Sequence, residues 1–125
     1  MAGWCHLGLA EVQRLRDEPK AGEEHLLRAL DLFDRVGDRV HTYQCLGLIG
    51  LSAAARDDDR TAAICIASAT AMQPGLGSAS TVIRAEAGAG DTDAIASRLR
   101  LELPHDWARG LTMTARQVLS MLKAA

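Results

Sequence analysis

The side chains with chemistry to offer are few: the cysteines Cys5, Cys45 and Cys65, some histidines near them, and one run of three aspartates. His41 and Cys45 stand four apart, so a helix places both on one face, where they could point at one metal ion. A structural zinc site needs four ligands, and no second pair is spaced to complete this one. The ordinary reading is a surface histidine above a small buried thiol. Cys5 and His6 are neighbours and cannot converge on one point from a helix, which argues against a nucleophile–base pair. His105-Asp106 follows Pro104, where polar residues cap a helix start. Asp57-Asp58-Asp59 lacks the alternating spacing and closing Glu of a calcium loop and reads as a solvated turn. Trp4 and Trp107 could stack on a planar ligand. No catalytic, cofactor-binding or metal-binding residue emerges, and the chain is not read as an enzyme. A small helical enzyme would need titratable groups converging in a pocket.

Composition bounds the rest. The chain has 125 residues, 48% of them hydrophobic, 24% charged and 3% aromatic. That is one domain's worth of ordinary globular sequence with a core of Leu, Ile, Val, Met and Ala, which suits packed helices better than a β-sandwich. The net charge of −2, with 14 basic and 16 acidic residues interspersed, gives no basic patch, so no direct nucleic-acid partner is expected. Three cysteines are an odd number and none forms a C-x-x-C pair. The first residues carry no charged leader region, and no apolar run reaches the length of a membrane span. These features predict a cytoplasmic chain with reduced, buried thiols and no membrane partner.

The elements that would position these residues are helices. Trp4, Leu7, Val12 and Leu15 share a face over 3–16. Pro19 and Gly22 read as a turn over 17–22. Leu26, Ala29, Leu30 and Phe33 mark a helix from about Glu23 to Val36, with Glu23 and Glu24 in its first turn and Gly37 as its C′ residue. Val40, Tyr43, Leu46, Gly47, Gly50, Leu51 and Ala54 share a face over 39–55. The glycines Gly47 and Gly50 each cost about 1 kcal/mol against alanine in a helix, so they imply a close helix approach. Ala62, Ala63, Ile66, Ala69 and Met72 mark a helix over 60–72, capped by one of the aspartates before it. Pro74 to Ser78 breaks the pattern and 81–87 suggests a short helix. Ala94, Ile95, Arg98 and Leu99 mark another over 91–102. Pro104 opens a short helix that Gly110 stops, and Thr114 and Gln117 form a capping box for a last helix over 113–122. No segment alternates as a strand does. The expected fold is all-α, with about seven to eight helices.

The chain also repeats. Trp4-x-x-Leu7-Gly8 recurs 39 residues later as Tyr43-x-x-Leu46-Gly47, and Ala62, Ile66 and Ala69 follow as a small–large–small series. These motifs resemble the tetratricopeptide repeat, which has a shorter period. ALDLFDRVGDR, YQCLGLIGLSAAARDDDRTAA and Trp107-Ala108-Arg109-Gly110-Leu111-Thr112 are similar to the C-terminal repeats of large bacterial signal-transduction regulators. Those combine a STAND-type ATPase with such repeats, in LuxR-like or adenylate-cyclase-linked forms. The likeness covers roughly 4–72 and 91–122. It implies a stack of antiparallel helix pairs: two hairpins over 1–73, a glycine-rich connection over 74–90 and capping helices over 91–125, all within a single domain. It also puts Trp4 and Trp107 in core positions.

No P-loop G-x-x-x-x-G-K-[ST] and no DNA-reading helix accompany the repeats. The resemblance therefore implies an interaction module, the regulatory part of a transcription or signalling regulator. The alternative is a stand-alone adaptor without an ATPase partner. Its groove would be lined by His6, Gln13, Arg14, His41, Thr42 and Gln44. The helix over 3–16 is apolar in several directions, and Trp4, Leu9 and Val12 form a candidate face for self-association or a partner chain.

Overall fold

The computed structural model describes residues 19–75 and 89–124. All their regular structure is helical: α1 (Pro19–Arg35), α2 (Arg39–Ala55), α3 (Asp59–Met72) with a short 3-10 turn at Gln73–Gly75, α4 (Ala89–Glu102), α5 (Pro104–Thr112) and α6 (Ala115–Ala124). The all-α expectation therefore holds for six helices among the described residues. The expected helices over 3–16 and 81–87 lie outside them. No described helix is long and apolar enough to cross a membrane.

The two connections joining α1 to α2 and α2 to α3 are the same turn, twenty residues apart. In the first, Asp38 N–H donates to the Phe33 carbonyl at 2.9 Å and Gly37 N–H to Asp34 at 3.2 Å. In the second, Asp58 N–H donates to Ala53 at 2.9 Å and Asp57 N–H to Ala54 at 3.1 Å. This paired closure is the Schellman motif, and it needs a left-handed residue at its apex. Gly37 supplies it with φ 74°, and Asp57 adopts φ 63° despite its side chain. The next aspartate ends one helix and caps the other. Asp38 accepts from the His41 N–H at 3.1 Å and Asp58 from the Thr61 N–H at 3.3 Å. One residue thus satisfies two sets of otherwise orphaned backbone groups.

α3 is the centre of the fold. Every residue from Ala62 to Ala69 is buried, which one apolar stripe cannot explain; a helix apolar all round is buried all round. Ile64, Cys65 and Ala69 pack into a core shared with Leu26, Leu30 and Phe33 of α1, Leu46 and Ile49 of α2, and Val118 and Leu119 of α6. Ala62, Ala63, Ile66 and Ala67 face a second core with Leu99 of α4 and Trp107 of α5.

Close helix approach is enabled by glycine, as expected at Gly50 and also at Gly110, while the expected partner of Gly47, the helix over 3–16, lies outside the described residues. A Cβ on Gly47 would meet nothing within 4 Å among the described residues. One on Gly50 would lie 2.5 Å from Ile66 Cγ1, and one on Gly110 would lie 2.8 Å from Ala67 Cβ and run into the Ile64 carbonyl. Gly110 does not stop α5, as expected of it. The helix runs on to Thr112, with Gly110 pressed against the α3 backbone.

Pro19 also departs from expectation. It lies in α1, as do Lys20, Ala21 and Gly22, instead of in a turn. Glu23 and Glu24 consequently lie beyond the first turn. On α4, Leu99 is buried while Ala94 and Arg98 are exposed.

Arginines strap the outer helices to the centre. Arg98 of α4 reaches Asp59 at 3.1 Å and Glu102 at 3.1 Å. Arg116 of α6 reaches Asp31 and Asp34 of α1, both at 2.7 Å. Arg60 of α3 lies 3.5 Å from Asp106 of α5. Thr114 and Gln117 make the expected capping box. Thr114 N–H donates to Gln117 Oε1 at 2.9 Å and Gln117 N–H to Thr114 Oγ1 at 3.2 Å.

Candidate functional site

An open cleft of about 500 Å³ lies among the described residues. One wall is the α1–α2 turn, with Asp34 and Gly37, and the start of α2, with Arg39 and Thr42. The other is the end of α3, with Ser68 and Met72, and the α5–α6 connection from Leu111 to Ala115. The sequence places these walls by the devices above: the Schellman turn fixes the first, and Gly110 holds α5 against α3 so that its end forms the second.

Most polar groups in the walls are already engaged. Thr42 Oγ1 donates to the Asp38 carbonyl at 2.6 Å, Ser68 Oγ to the Met113 carbonyl at 2.9 Å, and Thr112 Oγ1 to the Arg109 carbonyl at 2.9 Å. Ser68 thereby ties the α5–α6 connection to α3. Asp34 is paired with Arg116. The hydrogen bond from Arg116 to Asp31, helped by Arg35, holds the Asp31 carboxyl below its ordinary range. The cleft can bind, but it brings together no nucleophile and base.

The residues singled out by spacing fall elsewhere. The His41 ring stacks on Phe33 with centroids 4.8 Å apart, and its Nδ1 lies 2.6 Å from Asp38 Oδ2. Cys45 is fully buried, and desolvation, then the Asp38 charge, pushes its thiol up to about 12. Such a thiol is a poor ligand and nucleophile. His41 and Cys45 thus belong to the N-cap and the core respectively. Among the described residues no three His, Cys, Asp or Glu side chains are grouped to hold a metal. Cys65 is buried as expected. The aspartate run is more than a solvated loop: Asp57 forms the left-handed turn, Asp58 caps α3 and Asp59 binds Arg98. Asp106 pairs with Arg60 instead of capping α5, whose N-cap residue Leu103 makes no side-chain cap bond. Trp107 is 6% exposed and belongs to the second core, not to a ligand.

Of the six groove candidates, Thr42 is buried at 3% exposure and stands in the wall of the cleft. His41 and Gln44 are half-buried. His6, Gln13 and Arg14, and the face of Trp4, Leu9 and Val12, lie outside the described residues. Spacing did not reveal Arg39, Ser68, Met72 or Met113, because the cleft is assembled from three stretches far apart in sequence, 34–42, 68–72 and 111–115. The available signal was Leu111, a large apolar residue directly after a helix glycine. Compared with known proteins, the chain matches no protein-family model, no curated protein and no solved structure.

Proposed function

We propose that the chain is a protein–protein interaction module: a tetratricopeptide-like stack of helix pairs that serves a bacterial signalling or transcription regulator through a protein partner. The observation that carries this reading is the duplicated connection. Two successive helix connections close with one hydrogen-bonding scheme, twenty residues apart, so three consecutive helices follow one another by the same turn, as consecutive helices of a repeat stack do. The W-x-x-L-G pattern supports it, since Tyr43 and Leu46 are both buried. Tyr43 Oη accepts from Gln73 Nε2 at 3.0 Å and so ties the start of α2 to the end of α3.

The test is affinity capture from a lysate of the native cell, followed by reconstitution of the captured protein with the purified chain. A stoichiometric complex is expected, with an ATPase-bearing regulator as the partner. Failure of every captured protein to rebind would overturn the reading. Self-association through Trp4, Leu9 and Val12 is part of the same proposal. Light scattering should give at least a dimer, and Leu9→Glu should shift it toward monomer.

A further inference from the structure

We infer that the cleft between the α1–α2 turn, the end of α3 and the α5–α6 connection docks a short acidic peptide segment through an apolar side chain. The inference rests on the interaction-module reading and gives it a place and a chemistry. Its volume of about 500 Å³ lies in the range of ligand-accepting clefts, roughly 300–1,000 Å³, and holds one or two side chains. Being open along one side, it suits a chain segment lying across it better than a small molecule, which would stay largely in water.

Exposed apolar surface converges on the same place. Three large hydrophobic side chains are exposed among the described residues, and one of them, Leu111 at 42%, lines the cleft; a second, Val36, is next in the chain to the lining residue Gly37. Met72 and Met113 also line the cleft and are half-buried, and thioether side chains adapt to an incoming apolar group.

Charge then selects the partner. The Asp34 carboxylate is matched by Arg116 at 2.7 Å. Arg39 is exposed at the cleft wall and has no ion-pair partner among the described residues. The wall hydroxyls of Thr42, Ser68 and Thr112 donate to backbone carbonyls and that of Thr114 accepts from the Gln117 N–H; all four are neutral. One uncompensated guanidinium beside an apolar floor favours a carboxylate flanking an apolar side chain. A lysine-rich segment would bring a second cation to Arg39.

An immobilised array of short peptides tests this. Each carries one leucine with no, one or two flanking glutamates, or with flanking lysines. The intact chain should retain the leucine–glutamate peptides most strongly and the lysine peptides least. Arg39→Glu should weaken retention about tenfold, the scale of one charge-assisted pair, and Leu111→Ser several-fold, with unchanged helical circular dichroism. Arg100→Glu, on exposed α4 surface away from the cleft, should leave retention unaltered. Equal retention by Arg39→Glu and the native chain, a preference for lysine peptides, or no retention at all would overturn the proposal. The same variants in the lysate capture separate the two claims. A partner held equally by the native chain and the Arg39→Glu/Leu111→Ser double variant overturns the cleft and leaves the module. A partner lost only from the double variant supports both.

Discussion

Three helical glycines with different surroundings allow the packing around α3 to be tested one methyl group at a time. Replacing a helical glycine with alanine gains about 1 kcal/mol of backbone propensity. At Gly47 nothing within 4 Å among the described residues opposes that gain, so Gly47→Ala should stabilise by about 0.5–1 kcal/mol. At Gly110 the new methyl would sit 2.8 Å from both Ala67 Cβ and Ile64 Cα, about 1 Å inside the carbon–carbon optimum of roughly 3.5–4.0 Å. It would also press on the Ile64 carbonyl, and backbone cannot rotate away as a side chain can. Overpacking of this kind costs about 1–3 kcal/mol. With backbone among the clashing atoms the cost sits at the upper end, about 2–3 kcal/mol, so set against the propensity gain Gly110→Ala should lose about 1–2 kcal/mol net. Gly50→Ala should fall between, because the Ile66 side chain it meets at 2.5 Å can shift, though only within a filled core.

Urea unfolding followed by far-ultraviolet circular dichroism reads all three, with thermal midpoints displaced by about 3–5 °C per kcal/mol for a domain of this size. The expected order is Gly47→Ala above the native chain, Gly50→Ala at or below it, and Gly110→Ala lowest, at an unchanged slope on urea. A Gly110→Ala protein as stable as the native one would refute the contact between α5 and α3. A destabilised Gly47→Ala would mean that another segment packs on Gly47, which is the close approach the repeat pattern first suggested.

Asp57→Gly should raise stability by about 0.5 kcal/mol, because the left-handed apex suits glycine; equilibrium unfolding checks it, and a loss would place an unseen role on the carboxylate. Arg116→Gln should lower the thermal midpoint near neutral pH and flatten its fall in acid. Arg116 holds Asp31 below its ordinary value of 3.8, so the folded chain binds fewer protons than the unfolded one just below pH 4. That stabilisation is complete above this value and lost as pH drops through the depressed one; identical acid limbs would sink the idea. In a Cys5→Ser background, Cys45 and Cys65 should resist a thiol reagent at pH 8 until the protein unfolds, since both are buried and the Cys45 thiol is pushed up to about 12; rapid native labelling would contradict that burial.

What the sequence made legible was local. Gly37, the Thr114–Gln117 box and the aspartate cap of α3 each act through bonds to residues three to five away, and Pro104 at the start of α5 acts through its own fixed φ, so their types and spacing announce them. Asp38 had the same signal and was hidden by its neighbour, because a residue that ends one helix was not also read as starting the next. Pro19 and Gly110 break helices by type, and each is decided here by context: Pro19 lies in α1 and Gly110 against the backbone of α3. Gly50 is legible as a close-approach glycine, but that its neighbour is Ile66 is set by tertiary packing. The cleft was the least legible feature, since its walls come from three stretches whose approach is set by tertiary packing.

The encirclement of α3 bears on how such a stack could be extended. In an open solenoid each hairpin meets only its neighbours, and a new repeat docks on the face of the last. Here the face of α3 that a following hairpin would use is filled by Trp107, Leu99 and the Gly110 backbone, and Arg60 and Arg98 strap the covering helices in place. α6 returns to α1 through Arg116. Exposed ion pairs of this kind each contribute little, so the burial of Leu99, Trp107, Val118 and Leu119 is what holds these helices in place. At the α5–α6 connection Ser68 holds the backbone while Leu111 is 42% exposed. A rigid support beneath an exposed apolar side chain lowers the entropy cost of the docking proposed there.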